Sequence, residues 1–121
     1  IIININVQGI SILIDPLFEK VCYNLVENAI RHGDHLTRID ITAHETCEGV
    51  RISVEDDGFG VPDDLKETIF ERGFGKNTGF GLFLARDILS LSDITISERG
   101  QYGSSCRFDI DVPKGKFRWE K

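Results

Sequence analysis

Between Thr37 and Glu55 the chain alternates apolar and polar residues in two runs, "RIDITA" and "RISVED", with Glu48 and Gly49 in the turn between them. A period of two puts every second side chain on one face of a strand, and so short a connection makes the two runs an antiparallel pair. One face of that pair has to be buried, and the flanking segments say by what. "DP" at Asp15–Pro16 is a helix start, with Asp as N-cap and Pro at the first helical position. The helix is predicted to run to about His32, where Gly33 is a plausible stop.

The remaining signals fill in the rest of the chain. Ile1 to Asn6 and Ser11 to Ile14 read as two short strands around Gly9, a hairpin-like opening. A glycine-rich loop, "DDGFGVP", is followed by a short helix in "DDLKETIF". A second glycine-rich loop, "RGFGKNTGFG", leads into the helix "LFLARDILSL". The strands "DITISE" and "SCRFDIDV", joined through "RGQYG", close the chain. Strands and helices do not alternate as a βαβ array would. The predicted fold is therefore an α/β (α+β) two-layer sandwich, a mixed, mostly antiparallel sheet covered on one face by about three helices. With 121 residues and no internal repeat or linker, residues 1–121 are read as one domain. The sequence contains no methionine, not even at position 1, so it is read as a fragment of a longer protein.

Composition excludes several classes. A net charge of −6 argues against a nucleic-acid surface, which needs a basic patch. It leaves room for a nucleotide, because backbone donors and Mg²⁺ outweigh net charge locally. No apolar run approaches the roughly 20 residues of a membrane helix, and no contact of this domain with a membrane is expected. Cys22, Cys47 and Cys106 are far apart and form no C-x-x-C pair, which points to a reducing, cytoplasmic setting.

The chemistry begins on the first helix. At 100° per residue, Phe18, Val21, Cys22, Leu25, Val26, Ala29 and Ile30 cover a broad side that must be buried. Lys20, Asn24, Glu27, Asn28 and Arg31 share the other side, with His32 at its edge. Asn24 and Asn28 are stacked one turn apart. Asparagine costs roughly 0.7 kcal/mol against alanine inside a helix, so two in register are an anomaly. A plain solvated face is one account; a neutral oxygen ligand for Mg²⁺, or an amide donor to phosphate, is the other. The helix alone does not decide. "EDDGFGVP" puts Asp56 at a strand end before Gly58 and Gly60, where a partly buried carboxylate can accept from an exocyclic amine and glycines let the backbone approach a flat ligand. "GKNTGFGLFLAR" puts Gly79 and Gly81 at a helix mouth, whose N–H groups favour phosphate. Each motif is weak alone; in this order and spacing they combine strongly. The Walker-type phosphate loop does not fit, since Asn77 follows Lys76 and Phe70 occupies the earlier glycine position.

These residues resemble the ATP-binding catalytic domain of sensor histidine kinases, in the superfamily that includes gyrase B, Hsp90 and MutL and shares the Bergerat-type fold. "DPLFEKVCYNLVENAIRHG" resembles the N box, "EDDGFGVP" the first glycine box, "IFERGF" the F box and "TGFGLFLAR" the second glycine box, so the resemblance covers nearly the whole chain. "ERGFGKNTGFGLFLARDIL" and "VPKGKFRW" are most similar to archaeal members. The resemblance implies ATP and Mg²⁺ as ligands. It implies that Asn28 ligates Mg²⁺ and that Asn24 supports the metal and phosphate network. Arg31 and His32 would reach phosphate or ribose. Asp56 would accept the adenine amino group, with Gly58, Gly60 and Val61 passing close to the base. Thr78, Gly79, Phe80, Gly81 and Leu82 would line the phosphate side, where Gly79, Gly81 and Leu82 present backbone donors. Phe70 and Phe74 would anchor a lid, and Lys76 is the candidate to touch the γ-phosphate.

Three departures from the family pattern stand out. The lid between Phe74 and Gly79 is very short, Gly73 stands where many F boxes have a second Phe, and Cys106 stands where Thr is common. ATP-hydrolysing relatives carry a glutamate one turn before the metal-binding asparagine; here Asn24 holds that place, and an amide is no general base. The implied function is transfer of the γ-phosphate to a histidine on an upstream dimerisation domain, with a response regulator as indirect partner. A degenerate nucleotide-binding or interaction module without catalysis, or an ATP-hydrolysing relative, is the alternative. His32, His35 and His44 lie in no phosphoacceptor motif, and a zinc site from His32 and His35 lacks further ligands.

Overall fold

A computed structural model describes residues 2–6, 10–12, 17–32, 36–71, 81–115 and 117–119, with side-chain surroundings for residues 21–30, 36–71 and 82–115. The two alternating runs form β3 (Arg38–Thr46) and β4 (Gly49–Asp56), paired antiparallel from Ile39 opposite Asp56 to Thr46 opposite Gly49. β5 (Thr95–Glu98) and β6 (Cys106–Pro113) complete the antiparallel part, with β6 between β4 and β5.

The chain's opening differs from the expected hairpin. β1 (Ile2–Asn6) pairs in parallel with β3, Ile2 opposite Arg38. β2 (Ile10–Ile12) pairs antiparallel with β7 (Phe117–Trp119), Ile10 opposite Trp119. A lone two-stranded hairpin is marginal in water, whereas α1 (Leu17–His32) supplies the crossover that lets β1 extend the larger sheet. The five-stranded sheet therefore reads β1-β3-β4-β6-β5, mixed and mostly antiparallel, as predicted.

α1 and α2 (Gly81–Ser90) pack on each other and on the sheet. Val21, Leu25 and Ala29 of α1 and Ala85 and Leu89 of α2 bury against Val50, Ile52 and Val54 of β4 and Phe108, Ile110 and Val112 of β6. The buried stripe is narrower than expected. Ile30 is 49% exposed, because it lies about 140° round the helix from Leu25. "DDLKETIF" forms two separate 3-10 turns, Asp63–Leu65 and Thr68–Phe70, rather than one helix. Eight residues are too few to sustain an isolated α-helix, and here Ile69 and Phe70 turn into the core while Lys66 is committed elsewhere.

The other face of the sheet is polar. Asp40, Thr42, His44, Arg51, Ser53, Glu55, Arg107 and Asp109 line a trough of about 250 Å³. Along it, Arg51 Nε lies 2.7 Å from Asp111, and Asp109, 1% exposed, takes the Ser53 hydroxyl at 2.8 Å and lies beside Arg99 and Arg107.

Candidate functional site

Asp56 is the last residue of β4 and continues the buried row Val50, Ile52, Val54 onto the helix-facing side of the sheet. It is 6% exposed, and its Oδ1 accepts the Gly58 N–H at 2.8 Å. Burial pushes its carboxyl up from the usual range; the Gly58 bond opposes this, and the charges of Asp57, Glu98 and Glu55 add to it. A desolvated carboxylate of this kind is a strong acceptor seeking a donor.

The loop after Asp56 is tied down on both sides. Asp57 accepts the backbone N–H groups of Thr37 and Arg38 at 2.9 and 3.1 Å, together with the Thr37 hydroxyl. On the other side Gly103 N–H donates to the Phe59 carbonyl. Gly60 has φ of +77°, and a Cβ there would lie 2.2 Å from the Ser105 carbonyl oxygen. Glycine at position 60 therefore serves a close approach to the chain's own β5–β6 turn. Val61 is half-buried and packs on the core.

The floor beside Asp56 contains residues that the motifs did not single out. Cys106 faces Asp56 across the β4–β6 ladder, and the residue next to it, Arg107, gives its backbone N–H to Glu98 at 2.9 Å. Burial, then the charges of Asp56 and Glu98, push the Cys106 thiol far up, so it stays a neutral thiol. Glu98 is paired with Lys66 of the 3-10 segment. The sequence held a signal for this: Ile94, Ile96 and Glu98 share one parity, which turns Glu98 toward the core.

On α1, Asn24 and Asn28 are both half-buried, at the shoulder of the packed stripe rather than out in solvent. Arg31 and His32 form its last turn, with side chains outside the described residues. From His32 only five residues lead to Thr37, which is bonded to Asp57, so the Asn28 end of α1 and the Asp56 end of β4 belong to the same end of the domain. Gly81 opens α2, and Leu82 is half-buried against the core. Phe70 is 3% exposed, edge-on to Phe108 with centroids 6.1 Å apart and with the Arg86 guanidinium 4.0 Å from its centroid. It anchors the segment in the core. Phe74, Lys76, Thr78, Gly79 and Phe80 lie outside the described residues, as do Asp15, Pro16, Gly33 and His35.

Among the described residues no group of three or more His, Cys, Asp or Glu could hold a metal ion. Mg²⁺ suits a different arrangement, with one or two protein oxygens and the rest of its shell from phosphates and water. The neutral amide oxygens of Asn24 and Asn28 fit that donor set.

Residues 14–116 match the family described as histidine kinase-, DNA gyrase B-, and HSP90-like ATPase. The chain belongs to this family. Within it the relatives are sensor histidine kinases: the sensor protein KdpD of Escherichia coli K12 is 31% identical over 106 residues, 82% of this chain and 12% of KdpD. The chain thus spans a small part of the whole kinases it resembles. Full-length ShkA in complex with AMPPNP superposes with a TM-score of 0.79 at 25% identity, covering 97% of this chain and 26% of ShkA. The ATP-binding domain of PrrB from Mycobacterium tuberculosis gives 0.73 at 26% identity, over 92% of this chain and 78% of that one. The histidine-kinase-type ATP-binding fold is the one expected from the four motifs. No helix among the described residues is long and apolar enough to cross a membrane.

Proposed function

We propose that this chain is the catalytic domain of a larger sensor histidine kinase: it binds Mg²⁺-ATP and delivers the γ-phosphate to a histidine on a separate dimerisation domain, from which a response regulator is served. The observation that carries this reading is the buried carboxylate of Asp56, held by one backbone N–H at the exit of β4. Its acceptor character matches the adenine amino group and mismatches the guanine carbonyl, which gives ATP its advantage over GTP.

Asn28 and Asn24 would hold the metal and the phosphates from α1, and the N-terminus of α2 at Gly81 and Leu82 would offer backbone donors to the phosphates. Mg²⁺, when bound, neutralises phosphate charge and orients the transferring group. In the transfer the bond from the γ-phosphorus to its bridging oxygen breaks, a bond to an imidazole nitrogen forms, and ADP leaves with that oxygen. Asn24 cannot take a proton from water, which favours transfer over hydrolysis. Lys76, Thr78, Gly79 and Phe80 complete the phosphate side in this reading, Phe74 with Phe70 anchors the lid, and Arg31 and His32 reach phosphate or ribose. The setting is cytoplasmic, whether or not the parent protein is membrane-anchored.

Calorimetric titration with AMPPNP, with and without Mg²⁺, tests the reading. Binding should weaken with Asp56→Asn and lose its Mg²⁺ dependence with Asn28→Ala. A folded wild-type chain that ignores millimolar AMPPNP would overturn it.

A further inference from the structure

Glu98 is a carboxylate in a place where a carboxylate is costly. It ends β5 on the helix-facing side of the sheet, in line with Ile94 and Ile96, and is 3% exposed. An ion there needs a counter-charge and a full set of donors. Lys66 Nζ donates to Oε1, and the Gly100 and Arg107 N–H groups each lie 2.9 Å from Oε2. Lys66 also donates to the Gly100 carbonyl at 2.9 Å. A Cβ on Gly100 would come 2.7 Å from Glu98 Oε2 and 2.5 Å from the Ser105 carbonyl oxygen, so the β5–β6 turn closes directly onto the carboxylate.

Stability alone does not call for this arrangement, since a well-packed apolar replacement of a buried ion pair is often neutral or stabilising. Location suggests another role. Glu98 takes the backbone N–H of Arg107, the neighbour of Cys106, and Cys106 stands opposite Asp56, so Glu98, Cys106 and Asp56 gather at one end of the sheet with Lys66 paired to Glu98. The turn that Glu98 holds also carries Ser105 and Gly103, which fix Gly60 and Phe59 of the loop after Asp56.

We propose that Lys66 and Glu98 are a positioning pair for Asp56: without touching the nucleotide, they fix the loop over it and set the charge environment in which its carboxylate accepts an amine. This rests on the ATP reading above and adds to it the residues that tune the adenine contact. Among the described residues, the groups acting on Asp56 are Glu55 and Asp57 from its own strand and loop, and Glu98 from β5; the Cys106 thiol stands opposite from β6. Glu98 raises the Asp56 carboxyl, and Lys66 is the cation that compensates Glu98.

The test is the titration of the Asp56 carboxyl carbon by NMR, with AMPPNP affinity followed across the same pH range, in wild type, Glu98→Gln, Lys66→Met and the double variant. The double variant removes both charges while glutamine keeps an acceptor for the turn, so it guards against simple unfolding. Asp56 should titrate lower in Glu98→Gln and in the double variant, and higher in Lys66→Met. The pH at which AMPPNP binding is half lost should move in the same senses, with about a three- to tenfold affinity change near that pH. A purely structural pair would lower melting temperature in both single variants and leave the Asp56 titration where it was; that result overturns the proposal. If Asp56 shifts as expected while the wild type binds no AMPPNP, the pair stands and the ATP reading fails.

Discussion

Asp57 reaches back 20 residues to Thr37, taking its backbone N–H at 2.9 Å and its hydroxyl as well, and so fastens the entry to β3 to the exit of β4. The end of β4 that carries Asp56 and the start of β3 are thereby held in one relationship. The Thr37 hydroxyl, with the Thr37 and Arg38 N–H groups, brings the Asp57 carboxyl down to about 2.

The sign of the pH effect follows. An acid whose folded value lies below its unfolded value of roughly 3.9 stabilises the fold above that value and loses the effect as pH falls toward its folded one. Asp57→Ala should therefore lower the melting temperature most at neutral pH, and the gap from wild type should close between about pH 4 and pH 2. A gap that stays constant down to pH 2 would show that the bonds to Thr37 do not depend on the charge.

Asp56 works in the opposite direction. Its raised carboxyl protonates at a higher pH than an ordinary aspartate, so AMPPNP binding should fade on acidification before exposed carboxylates titrate. Asp56→Asn should cost about 10- to 100-fold in affinity for the adenine nucleotide and narrow its preference over the guanine analogue. Equal loss for both nucleotides would mean that Asp56 supports the loop without reading the base.

Gly60 and Gly103 both have positive φ, but only a Cβ at Gly60 meets the backbone, 2.2 Å from the Ser105 oxygen; at Gly103 nothing lies within 4 Å. Gly103→Ala should cost the backbone term of about 1–2 kcal/mol, and Gly60→Ala clearly more, as read from urea midpoints. Equal costs would mean that the turn yields freely.

Phe70 is placed to show whether the F-box segment is held by the core. Phe70→Ala should cost about 3–5 kcal/mol in urea unfolding, whereas Arg86→Met, which removes a half-exposed cation from the same ring, should cost about 1 kcal/mol or less.

The antiparallel centre of the sheet was legible because "RIDITA" and "RISVED" alternate strictly and are joined by a tight turn. Asp56 was legible because its glycines mark a strand exit. The pairing of β1 with β3 was hidden, since period two gives a strand its faces but names no partner, and that choice depends on the crossover through α1. Ile30 was misplaced by drawing the apolar stripe too wide. The Lys66–Glu98 pair joins residues 32 apart, and only the parity of Glu98 with Ile94 and Ile96 hinted that one half of it was inside.

The strand order β4-β6-β5 carries a timetable for synthesis. A chain made from its N-terminus presents β5 before the strand it must pair with exists, because β6 lies between it and the rest of the sheet. Until Pro113 has left the ribosome, Asp56 has no Cys106 opposite it and Glu98 has no turn to close upon. The nascent domain should therefore lack the surroundings of Asp56 until most of its residues have been added, with only the β2–β7 ladder still to form.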